Sequence, residues 1–60
     1  MNYKIVEVDG IWRATICKNN KADKYGDPKI FESKKAAINW IEKHSYKGMS
    51  FHYEIIKIGE

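Results

Sequence analysis

Apolar and polar positions alternate twice near the start of the chain, over "NYKIVEV" (2–8) and "IWRATICK" (11–18). A period of two carried by β-branched and aromatic residues predicts two strands. Asp9-Gly10 separates them and predicts a two-residue type I′ turn, with positive φ at both positions. "NNKADKYGDP" (19–28) is polar and turn-rich, and Pro28 biases Asp27 toward extended backbone. "KIFE" (29–32) reads as a short third strand. Ser33 offers a capping hydroxyl to "KKAAINWIEKH" (34–44), where Ala37, Ile38, Ile41 and His44 share one helical stripe flanked by Ala36 and Trp40. Gly48 suits the turn after that helix, and "SFHYEIIKI" (50–58) alternates again as a last strand.

The order β-β-β-α-β predicts an α+β fold with two layers. An antiparallel or mixed sheet of three to four strands carries one helix on one face, and residues 1–60 form a single small domain. The tight turn pairs Val8 with Ile11, Val6 with Arg13 and Lys4 with Thr15 on one face. The other face then carries Tyr3, Ile5, Glu7, Trp12, Ala14 and Ile16. It is the more apolar of the two, so it is expected beneath Ala37, Ile38, Trp40 and Ile41, joined by Phe51, Tyr53 and Ile55. The partner and direction of the last strand stay open.

One helix covers one face, which leaves Lys4, Val6, Val8, Ile11, Arg13, Thr15 and Cys17 on the uncovered side. His52, Glu54, Ile56 and Ile58 follow if the last strand keeps strict alternation. A sheet face turned to water is normally more polar than this. Val6, Val8, Ile11, Ile56 and Ile58 would form an aliphatic patch of the kind that marks a contact surface.

Charge adds a second reading. Eleven basic residues against eight acidic ones give a net charge of +3, and Arg13 is the only Arg. Within 18–29, Lys18, Lys21, Lys24 and Lys29 outnumber Asp23 and Asp27, with Tyr25 among them. Such a loop either keeps a surface soluble or contacts a phosphate backbone beside a base-reading sheet.

Chemistry changes the picture little. There is no nucleophile elbow, phosphate-binding glycine loop or zinc-ligand spacing. His44 reads as a helix C-terminal residue suited to the dipole and His52 as a half-exposed strand residue. Cys17 reads as an inert small hydrophobe, and as the only cysteine it fits a reducing, cytoplasmic setting. No apolar run is long enough to span a bilayer, and "MNYKIVEVDG" lacks the layout of a signal peptide. No catalytic residue, metal, cofactor, small-molecule ligand or membrane contact is indicated.

"IWRATICKNNKADKYGDPKIFESKKAAINWIEKH" (11–44) resembles the small N-terminal arm-binding domain of phage-type tyrosine integrases. The likeness rests on Trp12, then Phe31, Ser33, Lys34, Ala37 and Trp40. It implies a sheet that enters the DNA major groove with the helix packed behind it. Arg13 and Thr15, with Lys4, would then face DNA. The same strand and "F-x-S-K-x-x-A" helix pattern recurs in small phage and bacterial proteins of unknown function. A last strand after the helix and the aliphatic Val6, Val8 and Ile11 in the sheet depart from the integrase pattern.

The expectations are therefore two. The first is a small non-catalytic, phage-like interaction module that binds a protein or a second copy of itself through Val6, Val8, Ile11, Arg13, Ile56 and Ile58. The alternative is a DNA-binding module using Lys4, Arg13, Thr15, Lys18, Lys21 and Lys24.

Overall fold

In the computed structural model, which describes residues 2–45 and 48–59, four strands and one helix follow one another along the chain. They are β1 (Asn2–Asp9), β2 (Trp12–Ile16), β3 (Ala22–Asp23), α1 (Lys34–His44) and β4 (His52–Ile58). The strands make one open sheet in the order β3-β2-β1-β4, every pairing antiparallel. The architecture is the expected small α+β fold. The last strand, whose partner the sequence left open, lies antiparallel against β1.

The hairpin differs from expectation in a specific way. Asp9 pairs with Trp12 and Val8 with Arg13, so the turn residues are Gly10 and Ile11 rather than Asp9 and Gly10. Gly10 has φ 64° and Ile11 does not have positive φ. That is the signature of a type II′ turn, which needs the left-handed region only at its first central residue. A type I′ turn would hold Asp9 there as well, at a cost of about 1 kcal/mol or more for a side-chain-bearing residue. The consequence for register is a shift of two residues. Because side chains repeat every two residues, a shift of two leaves every one on its expected face.

The helix runs over the expected residues. The Ser33 hydroxyl accepts a hydrogen bond from the Ala36 N–H (3.1 Å), and the Ser45 N–H donates to the Ile41 carbonyl (2.8 Å) where the helix ends. Lys43 and His44 complement the dipole in the last turn. Its buried stripe, however, is turned from the expected one. Ala37 and Trp40 are buried, Ala36 and Ile41 half-buried, and Ile38 exposed. The large Trp40 takes the centre because its ring fills the core: it meets Phe31 edge-on at 6.4 Å and Tyr53 at 5.4 Å, and stacks on His44 at 4.0 Å. Ile5, Ile16, Phe31, Ala37 and Trp40 are buried together, with Tyr3, Tyr53 and Ile55 packed against them.

Trp12 does not belong to this core. It is 44% exposed, although it lies on the helix side by alternation. The helix packs chiefly against β1 and β4, whereas Trp12 opens β2 at the hairpin end. The hairpin end lies outside that cover. Trp12 instead carries the Lys24 ammonium 4.7 Å from its ring centre, a contact worth about 0.5–1 kcal/mol when exposed.

The third strand is also displaced. It forms at 22–23 rather than 29–32, pairing Ala22 with Ile16 and Asp23 with Thr15. Residues 27–31 wedge between the diverging ends of β2 and β1. On one side Lys29 N–H donates to Ile16 and Lys18 N–H to Asp27 (2.9 and 3.0 Å); on the other Phe31 and Tyr3 exchange both bonds at 2.9 Å. Pro28 has no N–H to offer, which suits a segment that makes isolated bridges instead of a ladder.

Asn20 fixes the turn between β2 and β3 to the core. It is the one non-glycine with positive φ (66°) among the described residues. Its Oδ1 accepts hydrogen bonds from Trp40 Nε1 (3.1 Å) and Lys29 Nζ (2.8 Å). Asn tolerates the left-handed region better than most residues.

Two outcomes follow for stability in urea. Gly10→Ala should cost about 1 kcal/mol through backbone strain alone, since nothing lies within 4 Å of its added Cβ, whereas Ile11→Ser should stay within about 0.5 kcal/mol. A neutral Gly10→Ala would refute the turn assignment. At Asn20, Ala should cost about 2 kcal/mol and Gly about half that, because Gly restores the backbone but not the bonds to Trp40 and Lys29. Equal losses would show that backbone conformation contributes nothing there.

Candidate functional site

The sheet face opposite α1 is built by registers that cross three strands. Arg13 of β2, Val8 of β1 and His52 of β4 lie side by side, as do Thr15, Val6 and Glu54. Lys4 lies beside Ile56, and Asn2 beside Ile58. The expected composition of this face from β1, β2 and β4 is therefore what the chain presents, with one correction. Ile11 is not on it. It is the second turn residue, fully exposed at the hairpin tip.

The aliphatic patch is not open either. Val6 and Val8 are only 6% and 8% exposed, although no helix covers them. Their cover comes from long side chains of the flanking strands. Arg13 Nη2 meets Glu54 Oε1 at 2.9 Å, joining β2 to β4 across the intervening β1. His52 Nε2 lies 3.2 Å from the other oxygen of Glu54. Lateral packing of this kind lets charged heads stay in water while their stems shield apolar neighbours. The Arg13 guanidinium, and after it His52, hold the Glu54 carboxyl below its ordinary range. Ile56 and Ile58 remain half-buried at the β4 side.

Next to this ion pair lies a groove of about 510 Å³. Lys4, Arg13 and Lys24 line it with Thr15, Tyr25, Ile56 and Ala14, over a floor of Val6. No Asp or Glu lines it, although Glu54 engages Arg13 at its rim. The 23–27 loop makes one wall. Asp23 Oδ1 accepts the Tyr25 N–H at 3.0 Å and shapes the bend, which leaves Tyr25 93% exposed. The same loop passes close over Cys17: a Cβ on Gly26 would lie 2.7 Å from the Cys17 sulfur. Cys17 itself is buried, its Sγ within 3.4 Å of the Thr15 carbonyl.

Four residues named for a DNA-binding surface, Lys4, Arg13, Thr15 and Lys24, thus share one groove. Lys18 and Lys21 do not: they are exposed in the turn beyond β2. Of the residues named for a protein contact, Arg13 and Ile56 reach the groove, Val6 forms its floor, and Val8, Ile11 and Ile58 stay outside it. Sequence reasoning missed Tyr25 as a wall and Glu54 as the partner of Arg13. The latter was within reach, since both had been placed on one face.

Among the described residues, no group of three or more His, Cys, Asp or Glu is placed to hold a metal ion, and no helix is long and apolar enough to cross a membrane. Comparison with protein-family models, curated proteins and solved structures finds no match.

The Glu54 ion pair has a calculable pH signature. A carboxyl held below its ordinary range stabilises the fold fully above the unfolded-state value. That contribution is lost as pH falls through the lower, folded-state value. The stability difference between the native chain and Glu54→Gln should therefore be present at about pH 5 and vanish in stronger acid. A difference unchanged down to pH 2 would show that Glu54 acts through packing rather than charge.

Proposed function

We propose that this chain is a small non-catalytic binding module that takes the phosphate backbone of duplex DNA on its helix-free sheet face. One observation carries the reading: Lys4, Arg13 and Lys24 converge from β1, β2 and the 23–27 loop on a single groove lined by no carboxylate. Among the described residues, Lys4 and Lys24 bring charge free of any carboxylate partner, and the Lys24 ammonium rests against the Trp12 ring at the edge of the sheet. Arg13 is shared with Glu54, which orients its guanidinium over the sheet and leaves its other nitrogens to reach outward. Thr15 adds a hydroxyl of the kind that contacts phosphate oxygens, and Tyr25 an exposed ring at the wall. The resemblance to integrase arm-binding domains points to the same face. Val6 serves this groove as a floor, and the thiol of Cys17 fits the reducing cytoplasm in which such a module would work.

Backbone contacts of this kind release counterions, so affinity should fall steeply with salt. Titrating a labelled mixed-sequence duplex at about 50 and 200 mM salt should show this loss. Lys4→Ala and Lys24→Ala should each weaken binding and each reduce the salt slope by about 1. No binding at the lower salt, or binding indifferent to both substitutions, would refute the proposal.

A further inference from the structure

The groove holds more than a phosphate chain asks of it. Backbone phosphates call for charge and hydrogen-bond donors, which Lys4, Arg13, Lys24 and Thr15 bring. A Tyr25 hydroxyl can add one more donor, but the ring that carries it does nothing for a phosphate. That ring is 93% exposed while it walls the groove. Trp12, the other exposed Trp, Tyr or Phe among the described residues, lies instead under the Lys24 ammonium. The loop that presents Tyr25 is tied down on both sides. Asp23 pairs with Thr15, and its Oδ1 accepts the Tyr25 N–H at 3.0 Å. Beyond the ring, the Asp27 carbonyl accepts the Lys18 N–H at 3.0 Å. Gly26 between them passes so close to Cys17 that a Cβ would lie 2.7 Å from its sulfur. A ring on so short and anchored a loop loses little freedom when a ligand covers it.

We infer that the groove takes DNA at an unpaired nucleotide, whose base stacks on Tyr25 while neighbouring phosphates meet Lys4, Arg13 and Lys24. The inference rests on the proposed backbone site and narrows its substrate to DNA with a single-stranded end, gap or bulge. A paired base keeps its faces inside the helical stack and shows only its edges. Extracting it costs unstacking and unpairing, and that cost is least where the base has no partner. Cations along a groove beside an exposed aromatic ring are the means of holding unpaired strands without reading their sequence. The volume, about 510 Å³, is that of a site for a small organic group and not for a phosphate alone. Ile56 lends it further apolar lining from β4.

Fluorescence anisotropy of the full chain at about 50 mM salt tests this with labelled probes of one sequence. They are a blunt duplex, the same duplex with a short overhang, and that overhang built from abasic nucleotides. The abasic probe keeps the added phosphates and lacks the added bases. The normal overhang should bind roughly fivefold or more tightly than the abasic one, the gain expected of a single stacked base. Tyr25→Ala should bring the two overhangs to within about twofold of each other. Tyr25→Phe should keep the difference, because the ring and not the hydroxyl supplies it. Equal binding of the two overhangs by the native chain, or a difference that survives Tyr25→Ala, would overturn the inference. The blunt duplex separates this result from the proposed function. If it binds and the overhangs bind alike, the backbone site stands and its selectivity for an unpaired base falls. If it fails to bind while the normal overhang binds through Tyr25, the duplex reading falls and this one stands. Failure of every probe to bind overturns both.

Discussion

Everything in this molecule depends on β1 being paired on both sides while carrying apolar residues on both faces. Ile5 points to the helix and is fully buried; Val6 and Val8 point the other way and are nearly so. A central strand satisfies its backbone through its neighbours, but its side chains need a cover above and below. One helix supplies the first. For the second, the chain uses side chains from the flanking strands, with Arg13 and Glu54 meeting across β1. The face without a helix is thereby a solvated roof over a thin aliphatic layer, and not the bare aliphatic surface its sequence suggests.

That distinction shows what was legible in the sequence and what was not. Alternation is a parity rule, so the faces of β1, β2 and β4 were readable even though the hairpin register is displaced by two residues. The helix was readable at both ends because Ser33 supplies a local cap and the apolar spacing is helical. Whatever depended on lateral distance was not. Trp12 has the parity of a core residue, yet it opens β2 at the hairpin end, while the helix packs chiefly against β1 and β4. Ile38 fits the stripe on a helical wheel, but Trp40 demands the central position. Val6 and Val8 were placed on the right face, while their burial depended on two side chains forty-one positions apart, Arg13 and Glu54.

The segment from 17 to 31 was the least readable for a different reason. It is held by hydrogen bonds that no periodicity announces: Asn20 to Trp40, Lys29 to Ile16, and Phe31 to Tyr3. Each joins an irregular stretch to a distant element. A sequence pattern reports how a residue relates to its near neighbours, so "KIFE" looked like a strand because its composition suits one. The wedge it forms between β1 and β2 follows from where those strands separate. The groove inherits this. Lys4, Arg13 and Thr15 could be placed by alternation, but Lys24 and Tyr25 enter only because the Asp23 bend carries the loop back over the sheet.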